Sequence, residues 1–367
     1  MKTYFLFKSS MVLFLLFLCS VSYGKDITLT HLQTEYKTNP VGIEAEQPRL
    51  SWEIKSTDRS VIQTAFQIRA AASEALLKSD KSLLWDSRKV ESGQSVHIPY
   101  SGGLLQSREK IYWQVRIWTN KGNSSWSSPA SFEMGLLYPS DWIASWIEAD
   151  IPEDIEKSGP SPYLRKEFTV GKEIKSARIY TSARGLYQLH LNGEKVGDEL
   201  FTPGWTSYHK RIQYQIYDVT QQLRKGTNAI GVILGDGWYR GVLKWRSQRN
   251  HYGEKLQAIL QLEITYTDGS KETVVSDKSW KSNTGPIVKS DIYNGESYDA
   301  RLEMKGWDNP HYPDSQWSGV IIKEVDKKLL VTSESVPVRI TQTIKPIAKI
   351  ITPKNELVFD FGQNFVG

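Results

Sequence analysis

Apolar and polar residues alternate along much of the first third of the chain. The alternation is clearest at residues 66–70 and again at 113–117, where every second position is apolar. A period of two residues is that of a half-buried β-strand, and polar turn residues such as those at 120–123 separate the runs. The one helical candidate is a short stretch over 73–81. The pattern predicts an all-β protein that opens with a fibronectin III-like or immunoglobulin-like β-sandwich over residues 25–138.

The β pattern continues through a longer second region. Tight hairpin turns are predicted at Asn192-Gly193 and at Asp268-Gly269, because these dipeptides adopt the positive φ angles that such turns need. Residues 139–336 are therefore expected to form a jelly-roll β-sandwich. Residues 337–367 close on a strand and a turn with no following strand, so we expect them to be the truncated start of a further β domain.

Residues 1–24 have the composition of a secretory signal peptide. Lys2 and Lys8 form a basic start, and residues 11–19 form an apolar stretch too short to span a bilayer. Cys19, the only cysteine of the chain, lies in this segment. The alternative interpretation is lipid attachment at Cys19. It is disfavoured because such a site prefers a small residue before the cysteine, and Leu18 stands there. The sequence predicts a secreted or periplasmic protein.

Composition narrows the classes of function further. The content of 39% hydrophobic and 24% charged residues is that of an ordinary globular protein. The formal net charge of +5, or +3 without the first 24 residues, is too mild to indicate a nucleic-acid partner. No later apolar stretch is long enough for an integral membrane protein. The 13 tryptophans and 18 tyrosines suit β-sandwich cores and also flat surfaces that contact sugar rings.

The densest group of chemically useful residues is the glycine-rich run 235–241. Its glycines allow a tight turn that would present Trp238, Tyr239 and Arg240 beside the carboxylate of Asp236. A ring face, a cation and a hydrogen-bond acceptor together make a plausible sugar contact. The alternative interpretation is a packed β-bulge or corner with Trp238 in the core.

A second group places Asp291, Glu296 and Asp299 close together in the sequence. Glu296 and Asp299 are candidates for the acid and base of a glycosidase, or for oxygen ligands of calcium. Residues three apart in a strand point to opposite faces, so the spacing does not support a catalytic pair. The structural alternative pairs Arg301 with a local acid and gives Gly295 a turn.

Metal and cofactor chemistry has little support in the sequence. The six histidines are far apart, and no cysteine lies outside the first 24 residues. A zinc site is therefore not predicted. No cofactor is predicted, and calcium remains the one possible metal.

A series of short motifs follows one another along the mature chain. They are Leu32–Tyr36, Asn39–Ile43, Pro48–Trp52, Trp85–Ser87, Val90–Ser92, Tyr112–Arg116, Leu191–Gly193, Pro203–Thr206, Gly235–Gly241, Asn250–Gly253, Ile292–Arg301 and Asp360–Asn364. In these motifs and in their order the chain resembles bacterial α-L-rhamnosidases of glycoside hydrolase family 78. The resemblance covers essentially the whole mature chain, and such collinearity is more specific than any single motif.

The resemblance implies that catalysis takes place elsewhere in the protein. The acid and base of that family belong to a later (α/α)6 barrel, of which no part is recognised here, so no catalytic residue is assigned. The expected partners are a rhamnose-containing glycan or glycoside and the missing catalytic domain, joined covalently or as a split partner. Some members of the family have a calcium-dependent rhamnose-binding sandwich. The candidate sugar-binding residues are Asn192, Asp236, Trp238, Tyr239, Arg240, Asp291, Glu296 and Asp299.

Three hypotheses remain open from the sequence. The first is the accessory amino-terminal region of a secreted α-L-rhamnosidase, which leaves open whether this chain is itself an enzyme. The second is a stand-alone secreted carbohydrate-binding β-sandwich protein. The third is an adhesion or scaffold protein of tandem sandwiches. The lack of clear internal repeats in the sequence counts against it.

Overall fold

A computed structural model describes residues 27–243 and 248–364 of the chain. The predicted signal peptide with Cys19 and the last residues of the predicted terminal strand, Phe365–Gly367, lie outside the described residues. Within the described ranges, no helix has the length and hydropathy needed to cross a bilayer. Strands dominate the regular structure, as the alternating pattern predicts.

The first sandwich contains ten strands. They are β1 (Ile27–Thr34), β2 (Val41–Ile43), β3 (Arg49–Ser56), β4 (Gln63–Ala71), β5 (Trp85–Asp86), β6 (Val90–Glu91), β7 (Ile98–Pro99), β8 (Lys110–Thr119), β9 (Gly122–Asn123) and β10 (Ala130–Met134). One sheet has the order β1-β3-β7, and the other has the order β2-β10-β8-β4-β5 with β6 beside β4 and β9 beside β8. The alternating apolar residues of β4 and β8 are buried between the sheets, among them Ile68 and Trp113.

The predicted helix is present as α1 (Glu74–Ser79). Ser73 begins it, because its Oγ accepts a hydrogen bond from the backbone N–H of Leu76 at 3.3 Å. Asp80 ends the helix in the left-handed conformation, with φ of 57°.

The second sandwich is larger. Its strands are β11 (Trp146–Ala149), β12 (Pro162–Val170), β13 (Ile174–Arg184), β14 (Leu186–Leu191), β15 (Glu194–Lys195), β16 (Ile212–Asp218), β17 (Gly226–Gly235), β18 (Gln257–Tyr266), β19 (Lys271–Val275), β20 (Lys281–Thr284), β21 (Ile287–Asp291), β22 (Gly295–Tyr298), β23 (Val320–Lys323) and β24 (Leu330–Thr332). Among the described residues of this sandwich there is one α-helix, α2 (Gly237–Arg240). Short 3-10 turns span Pro139–Asp141, Ala300–Leu302 and Lys327–Leu329.

Two sheets pack face to face in this sandwich. One has the order β23-β11-β18-β13-β16-β24 with β19 beside β18, and the other has the order β15-β14-β17-β12-β20. Strands β21 and β22 form a separate hairpin. The core between the sheets is rich in aromatic residues, including Trp146, Tyr180, Tyr214 and Trp280. The prediction of an all-β chain with two successive sandwiches is confirmed.

The two predicted hairpin turns differ in their geometry. Asn192 and Gly193 both have positive φ, at 54° and 87°, as a two-residue turn requires. At the second turn only Gly269 has positive φ, at 82°. The reason is a three-residue loop closed by the Tyr266 N–H donating to the Ser270 carbonyl at 2.9 Å, in which the last loop residue alone is left-handed.

A final hairpin follows the second sandwich. Strands β25 (Ala348–Ile351) and β26 (Leu357–Asp360) pair with each other in an antiparallel register that places Ile350 opposite Val358. All eight strand residues are exposed. An isolated two-stranded hairpin with exposed apolar side chains is marginally stable by itself.

Candidate functional site

The outer face of the five-stranded sheet is partly covered by the loop 300–319. Trp307 of this loop lies against Gly231, so closely that a Cβ atom at position 231 would be 2.4 Å from the indole. Asp308 accepts a hydrogen bond from His190 Nδ1 at 2.7 Å, and Asp314 forms an ion pair with the buried Arg165. These contacts hold the loop on one half of the face and leave the other half open.

The open half forms a groove of about 370 Å³. Its floor includes Gln188 of β14 and Ile233 of β17, whose neighbours along each strand point into the core. The hairpin β21–β22 supplies Glu296 on one side, and Lys195 of β15 lies on another. Gln188, Lys195 and Glu296 are exposed, so the groove combines an amide, a cation and a carboxylate within reach of a ligand.

The three segments that the sequence singles out border this groove. The Asn192 hairpin contributes Lys195, the 235–241 run contributes Gly235, and the 291–299 segment contributes Glu296. Most of the predicted residues themselves are buried and contact other protein groups. The structure therefore places the three segments around one groove. Many of the named side chains, however, are buried and hold the fold together.

Asn192 is one of these buried residues, at 4% exposure. Its Nδ2 donates to Asn228 Oδ1 at 2.8 Å and to the Gln222 carbonyl at 2.9 Å. Its Oδ1 accepts the backbone N–H of Ala229 at 3.0 Å. The side chain thus links the hairpin to the start of β17, with its hydrogen bonds made inside the protein.

Asp236 and Arg240 form a buried ion pair across the single turn of α2. Arg240 Nε donates to Asp236 Oδ1 at 2.5 Å, and Arg240 Nη1 donates to Glu153 Oε2 at 2.7 Å. Asp236 Oδ2 also accepts the hydroxyl of Ser158 at 2.8 Å. Burial opposes the charge of Arg240, but Asp236 and Glu153 outweigh it and raise the pKa of the guanidinium. This network joins the loop 153–158 to α2, with Asp236 and Arg240 buried and Glu153 at its exposed edge.

Asp291 closes the turn of the hairpin β21–β22. Its Oδ1 accepts the N–H groups of Tyr293 and Asn294 at 3.0 and 2.8 Å, and its Oδ2 accepts the N–H of Val242 at 2.8 Å. At 6% exposure it is a structural turn residue.

Asp299 and Glu296 have different environments. Asp299 pairs with Arg301 through hydrogen bonds of 2.8 and 2.6 Å and begins a 3-10 turn, and Gly295 takes the turn position with φ of 77°. This arrangement is the structural alternative stated from the sequence, in which Arg301 pairs with a local acid and Gly295 makes a turn. The hydrogen bonds from Arg301 lower the pKa of Asp299. Glu296 is exposed at the groove, so these two carboxylates are not held as one site.

Trp238 and Tyr239 point in different directions. Tyr239 is buried at 1% exposure beneath the guanidinium of Arg184, which lies 5.1 Å from the ring centroid. Trp238 is half-buried and stacks on Trp205, with ring centroids 5.6 Å apart and planes inclined by 6°. Trp205 was missed as a candidate, although it belongs to the Pro203-Gly204-Trp205 motif.

Two further groove residues, Gln188 and Lys195, were also missed. The alternation of β14 contains a usable sign for Gln188, because an exposed polar residue stands between the buried Tyr187 and Leu189. Lys195 carries no comparable local pattern. Its importance comes from the hairpin that folds it beside β14.

The part of the chain that the structure describes contains no preformed cluster of metal ligands. There, no three His, Cys, Asp or Glu side chains are grouped closely enough to hold an ion. Glu296 and Asp299, the calcium candidates, are separated by the pairing of Asp299 with Arg301. Glu296 alone provides too few oxygen ligands for calcium.

Family models match most of the described chain. Residues 29–138 match the Rha78A-like amino-terminal immunoglobulin domain, and residues 172–342 match the α-L-rhamnosidase amino-terminal domain. An α-L-rhamnosidase of an Alteromonas species is 39% identical over 343 residues, which is 90% of this chain and 37% of that protein. The chain thus spans little more than a third of that relative's length.

Solved structures give the same correspondence. The crystal structure of α-L-rhamnosidase from Aspergillus terreus superimposes with a TM-score of 0.86 at 36% identity, covering 92% of this chain and 39% of that one. The α-L-rhamnosidase of Streptomyces avermitilis complexed with L-rhamnose has a TM-score of 0.85 at 27% identity, covering 92% of this chain and 49% of that one. The sequence alignment with a Streptomyces avermitilis α-L-rhamnosidase runs over 510 residues, more than the 367 of this chain, so that relative contains inserted residues.

Proposed function

Because the chain belongs to the α-L-rhamnosidase family, within the amino-terminal region of these proteins, we propose that it is the accessory region of an enzyme that removes terminal α-L-rhamnosyl residues from glycans or glycosides. The observation that carries the proposal is the collinear match at 39% identity over 90% of this chain. The chain occupies only 37% of that relative, so the remaining part of such a protein is where we place the catalytic step.

The side chains of the described residues support this division of labour. Glycoside hydrolysis needs two carboxyl groups held on either side of the scissile bond, about 5 to 9.5 Å apart. Asp236 and Asp291 are buried and fully used by protein partners, while Asp299 is bound to Arg301. Among the predicted carboxylates only Glu296 is open to a ligand, and one such group does not supply the pair that hydrolysis needs.

Domain boundaries and export are part of the same proposal. We place a signal peptide at 1–24, an immunoglobulin-like module at 25–138, a second β-sandwich at 139–336 and the start of a further β domain at 337–367. The separate sheets of the two sandwiches support the first boundary, and the isolated hairpin β25–β26 supports the last. Export would place the protein in the periplasm or outside the cell, where rhamnose-containing glycans are accessible.

A stand-alone carbohydrate-binding protein is the second candidate function. The groove with Gln188, Lys195 and Glu296 favours it, since sugar hydroxyls need both donors and acceptors.

A chimeric enzyme tests the accessory role. The matching region of the Alteromonas α-L-rhamnosidase is replaced by residues 27–364, and hydrolysis of an aryl α-L-rhamnoside is measured against the same enzyme with that region deleted. We expect the chimera to hydrolyse the substrate and the deletion variant to lose soluble, active protein. A soluble chimera without activity would contradict the proposal.

The chain by itself provides the complementary test. We expect no hydrolysis of the aryl rhamnoside by all 367 residues. Turnover that disappears in Glu296→Gln would place catalysis in this chain and overturn the division of labour. Titration calorimetry of the chain with L-rhamnose, in calcium and then in chelator, tests the second candidate, which fails when neither condition produces heat.

A further inference from the structure

An aromatic surface lies beside the groove, beyond the loop 199–202. Trp205 stacks on Trp238, and Phe201 meets Trp238 edge-on with ring centroids 6.0 Å apart. Trp205 is 43% exposed and Phe201 is 47% exposed. We call these three rings the aromatic platform. A cluster of exposed large rings on one surface is the kind of feature that marks a binding site.

The platform is held in place by its neighbours. Trp205 Nε1 donates to the hydroxyl of Tyr252 at 3.2 Å, and Tyr252 packs against the core of the sandwich. Gly204 precedes Trp205 with φ of 102°, and a Cβ there would be 2.8 Å from Gln213 Oε1. Glycine thus allows the backbone to approach Gln213 while it sets the direction of the tryptophan. A ring fixed before binding loses little conformational entropy when a ligand stacks on it.

Polar groups accompany the rings. A cavity of about 210 Å³ is lined by Trp205, Trp238 and Gln213. The side-chain amide of Gln213 is half-buried and makes no hydrogen bond to the described residues. Gln188 in the groove is likewise without such a partner. Both amides are therefore available to the hydroxyl groups of a ligand.

The cavity at the platform and the groove lie on either side of one wall. They share the lining residues Glu199, Leu200, Phe201 and Thr202. Phe201 therefore stands between a polar groove on one side and a stacked tryptophan pair on the other. A single sugar occupies one side of this wall, whereas a chain of sugar units reaches both.

We propose that the groove and the aromatic platform form one binding track for a carbohydrate chain of several sugar units. Trp205 stacks on the apolar face of one ring, and Gln188 with Glu296 binds the hydroxyl groups of another. This inference rests on the carbohydrate role proposed above. A carbohydrate chain fits both parts of the surface, because its CH faces stack on rings and its hydroxyl groups both donate to and accept from the amides of Gln188 and Gln213.

Calorimetric titration of the full chain tests the track with two probes. These are L-rhamnose and a tetrasaccharide that ends in α-L-rhamnose. We expect the tetrasaccharide to bind at least tenfold more tightly than the monosaccharide. Trp205→Ala should remove most of that advantage, and Trp205→Phe, which keeps a ring face, should restore part of it.

Matched variants separate binding from folding. Tyr138→Ala removes another exposed aromatic ring, on a surface away from the track, and should leave both affinities unchanged. Gln188→Ala should weaken binding of both probes, because it acts in the groove. The urea midpoint of each variant verifies that the fold is retained.

Three results would overturn the inference. The first is that the two probes bind with equal affinity, and the second is that Trp205→Ala leaves the tetrasaccharide affinity unchanged. The third is that neither probe binds. Each leaves the chimera experiment unaffected, since that experiment measures support of hydrolysis. An active chimera that binds no tetrasaccharide through this region would keep the accessory role and reject the track.

Discussion

The hydroxyl of Tyr214 joins the two sandwiches by donating a hydrogen bond to Glu44 Oε1 at 3.0 Å. The same hydroxyl accepts the backbone N–H of Leu136 at 2.8 Å, in the segment that connects the modules. Gly135 lies against it so closely that a Cβ there would be 2.5 Å from the hydroxyl oxygen. Nearby, Arg108 contacts both Asp141 and Glu263. The contact between the modules is therefore specific and polar.

Removing the hydroxyl of Tyr214 should weaken this contact. In Tyr214→Phe the N–H of Leu136 loses its acceptor in a buried position, which costs about 1 to 3 kcal/mol. Urea unfolding should show this loss in the free energy of unfolding. Tyr293→Phe, at a residue 42% exposed, is the control and should change stability by less than about 0.5 kcal/mol. Equal stability of the two variants would show that the hydrogen bond contributes nothing.

The carboxyl of Glu44 should make the same contact dependent on pH. Burial raises the pKa of Glu44, although hydrogen bonds from Thr332 and Tyr214 partly oppose it. The folded state thus binds more protons than the unfolded state above the ordinary pKa of 4.5, so the stability contribution is present below 4.5 and is lost as pH rises through the folded pKa.

Glu44→Gln removes this titration. We expect the variant to gain stability relative to the unmodified chain as pH rises from 4.5 through the raised pKa, with no gain below that range. Urea midpoints of both proteins, measured over a series of pH values, give the difference directly. A difference that is constant with pH, or of the opposite slope, would reject the assignment.

The ion pair of Arg240 should be far more important for stability than that of Arg301. Arg240 is 1% exposed, and Arg240→Met removes the cation that Asp236 and Glu153 share. Asp236 keeps Arg249 at 3.4 Å and Glu153 keeps Lys255 at 2.9 Å, so the expected loss is about 3 kcal/mol, the lower end for a broken buried pair. Arg301 is 88% exposed, and Arg301→Met should change stability far less, because water screens an exposed ion pair. Thermal unfolding of the two variants measures the contrast. Similar melting temperatures would mean that the buried network is not a stabilising element.

A methyl group at Gly231 should displace the loop that covers the sheet. Gly231→Ala places a Cβ about 2.4 Å from the Trp307 ring, and the overpacking should destabilise the chain by about 1 to 3 kcal/mol. Gly171→Ala is the matched control, because no atom lies within 4 Å of its Cβ position. Tryptophan fluorescence and urea unfolding report the two effects. An unchanged Gly231→Ala variant would indicate that the loop moves freely.

Local sequence patterns were sufficient for the elements of the fold. Alternation predicted β4 and β8 because side chains of a strand point alternately to core and solvent, a rule that acts between neighbours. Asn192-Gly193 predicted its turn because the φ angles are a property of those two residues. The ordered motifs, spread along the chain, were sufficient for the family.

The candidate site depended on contacts between distant segments. Whether Asp236 meets a ligand or Arg240 is decided partly by Ser158 and Glu153, which lie far away in the sequence. Burial of a charged group is set by the packing around it, and local spacing does not contain that information. The sequence therefore predicted segments that border one groove but could not tell their buried members from the exposed ones.

What the sequence by itself determined was the all-β class, the hairpins and the family, since each follows from local geometry or from the order of motifs. The tertiary structure alone decided that Gln188, Lys195 and Glu296 share a groove and that Trp205 stacks on Trp238. The physical reason is that sheet pairing and loop packing place these residues together, although long stretches of chain separate them.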